Sequence, residues 1–194
     1  MEKSRNDLWK ISLQTLKNGN IKYLQAQKSD GDISPEIRKN TFQNGQKPYA
    51  VIITCADSRV IPEYIFSVGI GDLFVIRAAG NTIETTALAS VEYAISHLKT
   101  PLVVVLGHTC CGAIHAAIHG GKVNGYIKAI TDKIRITINN EQNDTTACRL
   151  NVNAGVNEIK QAMSKLYPNV KIIGAVYRID TGEVEFIDEL VNEK

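Results

Sequence analysis

Four stretches of the chain are apolar without alternation, and segments with apolar residues at helical spacing lie between them. Residues 49–55 (YAVIITC), 73–76, 102–106 (LVVVL) and 170–176 are rich in β-branched residues and too short for typical helices. That pattern predicts strands buried on both faces, as in a parallel sheet. Residues 184–187, after a Thr181-Gly182 turn, predict a short last strand at an edge. Residues 82–98 carry Ala87, Leu88, Val91, Ala94, Ile95 and Leu98 on one helical face. Residues 111–118 predict a short helix, 126–138 another, and 152–166 a third that stops before Pro168. Asp30-Gly31-Asp32 with Pro35, and polar residues 140–146, predict loops. Over residues 4–28, Leu8, Ile11, Leu13, Leu16, Ile21 and Leu24 are spaced for helix, interrupted at Asn18-Gly19-Asn20. Two helical pieces are therefore expected in an N-terminal arm over residues 1–35, with the lone Trp9 as a packing anchor.

Strands alternating with helices predict an α/β fold. The expected form is a mostly parallel central sheet, about four parallel strands plus an edge strand, flanked by helices. No internal repeat or second boundary interrupts residues 1–194, which are expected to form a single domain. Composition narrows the function classes. Lys plus Arg is 22 against 20 for Asp plus Glu, a formal charge of +2. This gives no electrostatic case for nucleic acid or an anionic membrane. The apolar runs are too short to span a bilayer, and residues 1–10 do not read as a secretory signal. A cytoplasmic location is expected, where four cysteines are metal ligands or free thiols rather than a disulfide framework.

Open parallel sheets bind ligands at the carboxyl ends of their strands. Two predicted strands end in ligand-type residues there: Cys55-Ala56-Asp57-Ser58-Arg59, and Gly107-His108-Thr109-Cys110-Cys111-Gly112. Two thiolates and an imidazole suit zinc, and a catalytic zinc typically keeps three protein ligands and one open position. Cys55, His108 and Cys111 are that set, with Cys111 at a helix start that favours its thiolate. Two thiolates cancel the zinc charge, so a bound water would be polarised less than in a three-histidine site. A closed structural site, with Cys110, His115 or Cys148 as fourth ligand, is the next reading. Asp57 and Arg59 are either a solvated ion pair or a carboxylate held ionised and oriented beside the metal.

Taken together, Cys55-x-Asp57-x-Arg59 and His108-x-x-Cys111 resemble the signature of the β-class carbonic anhydrases. The likeness also runs through Gln46-x-Pro48, CADSRV (55–60), GDLFVIR (71–77), VEYAI (91–95) and GHTCCGA (107–113). The resemblance implies reversible hydration of carbon dioxide to bicarbonate and a proton by zinc-bound hydroxide. It implies Cys55, His108 and Cys111 as ligands of one Zn2+ per subunit and Asp57 with Arg59 as the catalytic pair. Gln46 is implied as a hydrogen-bonding partner of substrate, and Phe74 and Tyr93 as apolar walls, Tyr93 reaching a neighbouring subunit's site. It further implies a homodimer, with the N-terminal helices over the partner, and tetramers or larger assemblies of such dimers.

The chain departs from the family pattern at Ala78-Ala79-Gly80-Asn81 and at Ile52, where some bacterial members carry the tryptophan of a regulatory bicarbonate site. That regulatory site is expected to be absent or altered, although Arg77 and Tyr177 resemble its other members. Three alternatives stand beside hydration. They are hydrolysis of carbonyl sulfide or carbon disulfide on the same fold, a non-catalytic structural zinc protein, and a redox module using Cys110-Cys111. The last would need a strained adjacent disulfide. His115 and His119 are four apart, as on one helix face, but surface histidine pairs ordinarily bind nothing. Whether Asp57 itself ligates the resting metal stays open at this point.

Overall fold

In the computed structural model, which describes residues 7–25, 31–121 and 123–187, the apolar runs form one five-stranded sheet. The strands are β1 (Ala50–Thr54), β2 (Leu73–Arg77), β3 (Leu102–His108), β4 (Lys171–Tyr177) and β5 (Val184–Phe186), in the order β2-β1-β3-β4-β5. The first four are mutually parallel, and β5 is an antiparallel edge. Every residue of β1 and β3 is buried, which explains why neither strand alternates.

Side chains nonetheless leave the sheet with period two. Val51, Ile53, Val103 and Val105 pack on one face with Val91 and Ala94, and with Val152, Val156 and Ile159. Ala50, Ile52, Leu102, Val104 and Leu106 pack on the other with Leu13, Leu16, Ile65 and Phe66. The first face is thus covered by α4 (Thr85–Ser96) and α7 (Asp144–Met163), the second by α1 (Leu8–Gln25) and α3 (Pro62–Ile65).

Three expectations about helices need correction, and one short helix was not expected. The arm is not two pieces: α1 runs unbroken through Asn18-Gly19-Asn20, and residues 1–6 and 26–30 of the expected arm lie outside the described residues. Gly19 lies against backbone, since a Cβ there would sit 1.9 Å from the Phe66 carbonyl oxygen. Asn20 is buried, and its amide donates to the Ile65 and Gly182 carbonyls while its oxygen accepts from Val184 N–H. These residues mark a docking point rather than a break. Replacing Asn20 by Ala should lower stability by about 2 kcal/mol or more, because it strands buried backbone groups. The check is a lower urea midpoint with an unchanged slope.

The expected loop at Pro35 is the start of α2 (Pro35–Asn44), where the Ser34 hydroxyl accepts from Ile37 N–H and Pro35 occupies the first turn. The short α3 was not anticipated, and it too begins at a proline. The last expected helix starts at Asp144 rather than Val152, capped by Asn143 accepting from Thr146 N–H. Helices α5 (Gly112–His119) and α6 (Ile127–Ile138) lie close to expectation. They join the start of α7 in a third apolar cluster containing Cys55, Cys111, Ile114, Ala117, Ile134 and Ala147.

Candidate metal centre

The chain goes from β1 to β2 on one side and then crosses to β3 on the other. The crevice beyond the carboxyl ends of β1 and β3 is therefore the point where strand order reverses, the usual ligand site of such sheets. Cys55 follows β1 directly, His108 is the last residue of β3, and Cys111 precedes α5. Their ligating atoms lie within 4.8 Å of one another, and all three residues are buried.

His108 Nδ1 lies 2.9 Å from the Thr109 carbonyl oxygen. A carbonyl only accepts, so Nδ1 carries the proton and Nε2 keeps a lone pair. Nε2 is sealed from solvent and has no hydrogen-bond partner, an orphan that costs about 1–3 kcal/mol unless something uses it. The sulfurs support the same conclusion. Cys55 is pulled down by a hydrogen bond from Cys111, aided by the Gly80 N–H. That bond and burial push Cys111 up. Two sulfurs in contact with each other, beside a bare imidazole nitrogen, fit a divalent cation such as zinc.

A carboxylate stands beside this trio. Asp57 Oδ1 accepts from Arg59 N–H and Nε, both at 2.9 Å, and Oδ2 accepts from Arg59 Nη2 at 2.7 Å. The Arg59 fork, above all its hydrogen bonds, holds the Asp57 carboxyl far below the usual carboxylate range. Asp57 Oδ2 is 3.9 Å from His108 Nε2, so the carboxylate borders the trio while being committed to Arg59. Arg59 Nη2 also donates to the Cys110 carbonyl at 3.1 Å, tying the two loops together. Cys110 adopts φ 54°, a left-handed turn that an L-residue adopts only at a cost, between His108 and Cys111.

Some supporting residues were not singled out for these roles. Arg77 Nη2 and Nε donate to the Asp57 and Cys55 carbonyls at 2.8 and 3.2 Å, bracing the ligand loop from β2. Gly80 N–H points to Cys55 Sγ at 3.2 Å, and Asn151 in turn donates to the Gly80 carbonyl. Gly80 also has φ 66° and meets Ile134 at 2.7 Å of a would-be Cβ, so both conformation and space favour glycine. An arginine ending β2, a strand expected to be buried on both faces but only half-buried here, was the one available signal; backbone donors leave none. Tyr177, grouped with Arg77 by resemblance, is buried on the α1 face, its hydroxyl 3.2 Å from that of Tyr23.

The candidate fourth ligands of a closed site do not join the trio. Cys148 Sγ donates to the His108 carbonyl, Cys110 is exposed, and His115 pairs with Asp144. Gln46 and Tyr93 line a shallow depression with Thr41, Gly45 and Ile70, and no residue of the trio lines it. Phe74 stands beside Tyr93, ring centroids 6.2 Å apart.

Comparison with known proteins agrees with this geometry. A family model described as carbonic anhydrase matches residues 50–184. Carbonic anhydrase 2 of Mycobacterium tuberculosis is 32% identical over 196 residues, spanning 91% of this chain and 92% of the relative. A solved β-carbonic anhydrase from Aspergillus fumigatus superposes with a TM-score of 0.69 at 26% identity, covering 95% of this chain and 92% of that one. A Coccomyxa β-carbonic anhydrase in complex with acetazolamide gives 0.66 at 27% identity, over 80% and 86%.

Proposed function

Because this chain belongs to the β-carbonic anhydrase family, we propose that it hydrates carbon dioxide reversibly to bicarbonate and a proton, with one zinc per subunit. The observation that carries the reading is the orphaned His108 Nε2, grouped with the Cys55 and Cys111 sulfurs beside a carboxylate held by arginine. Cys55, His108 and Cys111 would hold the zinc. Bound there, zinc supplies Lewis acidity that makes water nucleophilic near neutral pH.

The remaining work falls to the chain. Asp57 accepts a hydrogen bond from the attacking water and fixes the direction of its lone pair. Its depressed pKa means that it orients the water without keeping the proton, which passes to solvent or buffer. Arg59 keeps Asp57 ionised and aimed, and its grip on both oxygens holds that carboxylate back from the metal position. Arg77 holds the loop on which both Cys55 and Asp57 sit.

Carbon dioxide is small and apolar, so its pocket needs walls more than hydrogen bonds. Phe74 and Tyr93 would supply walls, and Gln46 a donor to an oxygen of substrate or bicarbonate. The depression holding Gln46 and Tyr93 is lined by none of the metal trio. In this reading these residues serve the site of a second copy, which makes the working unit a homodimer, with tetramers as dimers of that dimer. Thiolate ligands suit the reducing cytoplasm.

The test is stopped-flow hydration at mildly alkaline pH on protein of known zinc content, with a metal-stripped and reconstituted control. Fast hydration that vanishes on stripping and returns with zinc is expected. Full zinc with no hydration, while carbonyl sulfide turns over, would overturn it.

A further inference from the structure

Helix α5 leaves the metal centre carrying two histidines that hydration does not use. We propose that His115, His119 and Asp144 form a second, solvent-facing site for a divalent transition metal such as Zn2+. The two histidines stand one turn apart on α5, their ring centroids 4.6 Å apart. Asp144, the first residue of α7, meets both at once. Its Oδ2 is 3.1 Å from His115 Nδ1, and its Oδ1 is 3.5 Å from His119 Nε2. One ligand atom from each residue falls within 4.8 Å of the other two.

Those separations are the relevant observation. A tetrahedral zinc with bonds of about 2.0–2.1 Å keeps neighbouring ligand atoms about 3.3 Å apart. The distances of 3.1 and 3.5 Å, one from each Asp144 oxygen, are near that edge, so an ion seated between the rings could be met by either oxygen or by both. Two imidazoles on a free helix face usually bind nothing; here a carboxylate from a different helix completes three ligands.

The supports beneath are packed. Ile114 and Ala117 of α5 join Ala147 of α7 in one buried cluster. Asn143 caps α7 by accepting from Thr146 N–H and from the Thr146 hydroxyl. The ligand side chains themselves are 63%, 47% and 37% exposed, so water can fill the remaining coordination positions. Imidazole donors select zinc, copper or nickel over magnesium and calcium, which prefer all-oxygen shells. A bound ion would clamp α5 to α7, and α5 begins immediately after Cys111.

The experiment uses the zinc-loaded protein. It is dialysed to equilibrium at about pH 7.5, above the ordinary imidazole pKa, against Zn2+ rising to about 100 µM, and metal is counted per chain. A second equivalent is expected, together with a rise in melting temperature. The double variant His115→Ala/His119→Ala and the single variant Asp144→Asn should each weaken that equivalent at least about tenfold and remove the thermal shift, while the first zinc and hydration remain. Uptake that stops at one zinc per chain would overturn the proposal. So would a second equivalent that survives unchanged in both variants, which would mark scattered surface binding.

Discussion

Cys111→Ser should empty the metal centre and reduce carbon dioxide hydration to the rate of metal-free protein. Serine nearly matches cysteine in size, so the buried packing with Ile114 and Ala117 is kept. It does not ionise as a thiol does and offers a hard oxygen where the site needs a soft anion. Even partners behind a ligand are worth about 10- to 100-fold in metal affinity, and loss of a ligand exceeds that. His108→Ala should act in the same direction, with an added cost in stability because His108 is fully buried. Metal counting, circular dichroism and stopped-flow rates on one preparation check this. A folded Cys111→Ser protein with full zinc and undiminished hydration would remove Cys111 from the ligand set.

Asp57→Asn should keep zinc and lose rate by about 10²-fold or more, the scale of a lost orienting contact. The amide replaces one carboxylate oxygen by a donor and breaks the fork pairing with Arg59. Arg59→Ala should produce a comparable loss by a different route: Asp57 remains but is no longer held. The two residues act as a unit, so the double variant should be little slower than either single one. Additive losses in the double variant would mean that Arg59 acts independently of Asp57. Hydration unchanged in Asp57→Asn would return the pair to the status of a surface ion bridge.

The strands were legible because β1 and β3 are short, almost wholly apolar and rich in β-branched residues, a pattern that suits a doubly covered parallel sheet. The helices at the margins were harder. Helix α2 buries none of its residues, so it has no apolar face to read; only Ser34 and Pro35 marked its start. The first two turns of α7 were hidden in polar sequence whose buried side is Ala147, Cys148 and Asn151. Gly19 read as a breaker because the backbone it approaches, Phe66, lies far away in sequence. At the centre, soft ligands at two strand ends could be read from spacing. The Gly80 and Thr109 contacts could not, because backbone groups make them and side-chain identity carries no trace of them.

The strand order also sets when the metal site comes into being. Cys55 leaves β1 and Cys111 follows β3, and the two strands meet only after the chain has laid down β2 and α4 and crossed back over β1. Parallel crossovers of this kind close late, since the loop entropy is lost before the pairing rewards it. Until then the chain carries thiols but no site. Under the proposed function, zinc can be held in this crevice only once β1 and β3 have paired, so its uptake would report that the middle of the sheet is complete.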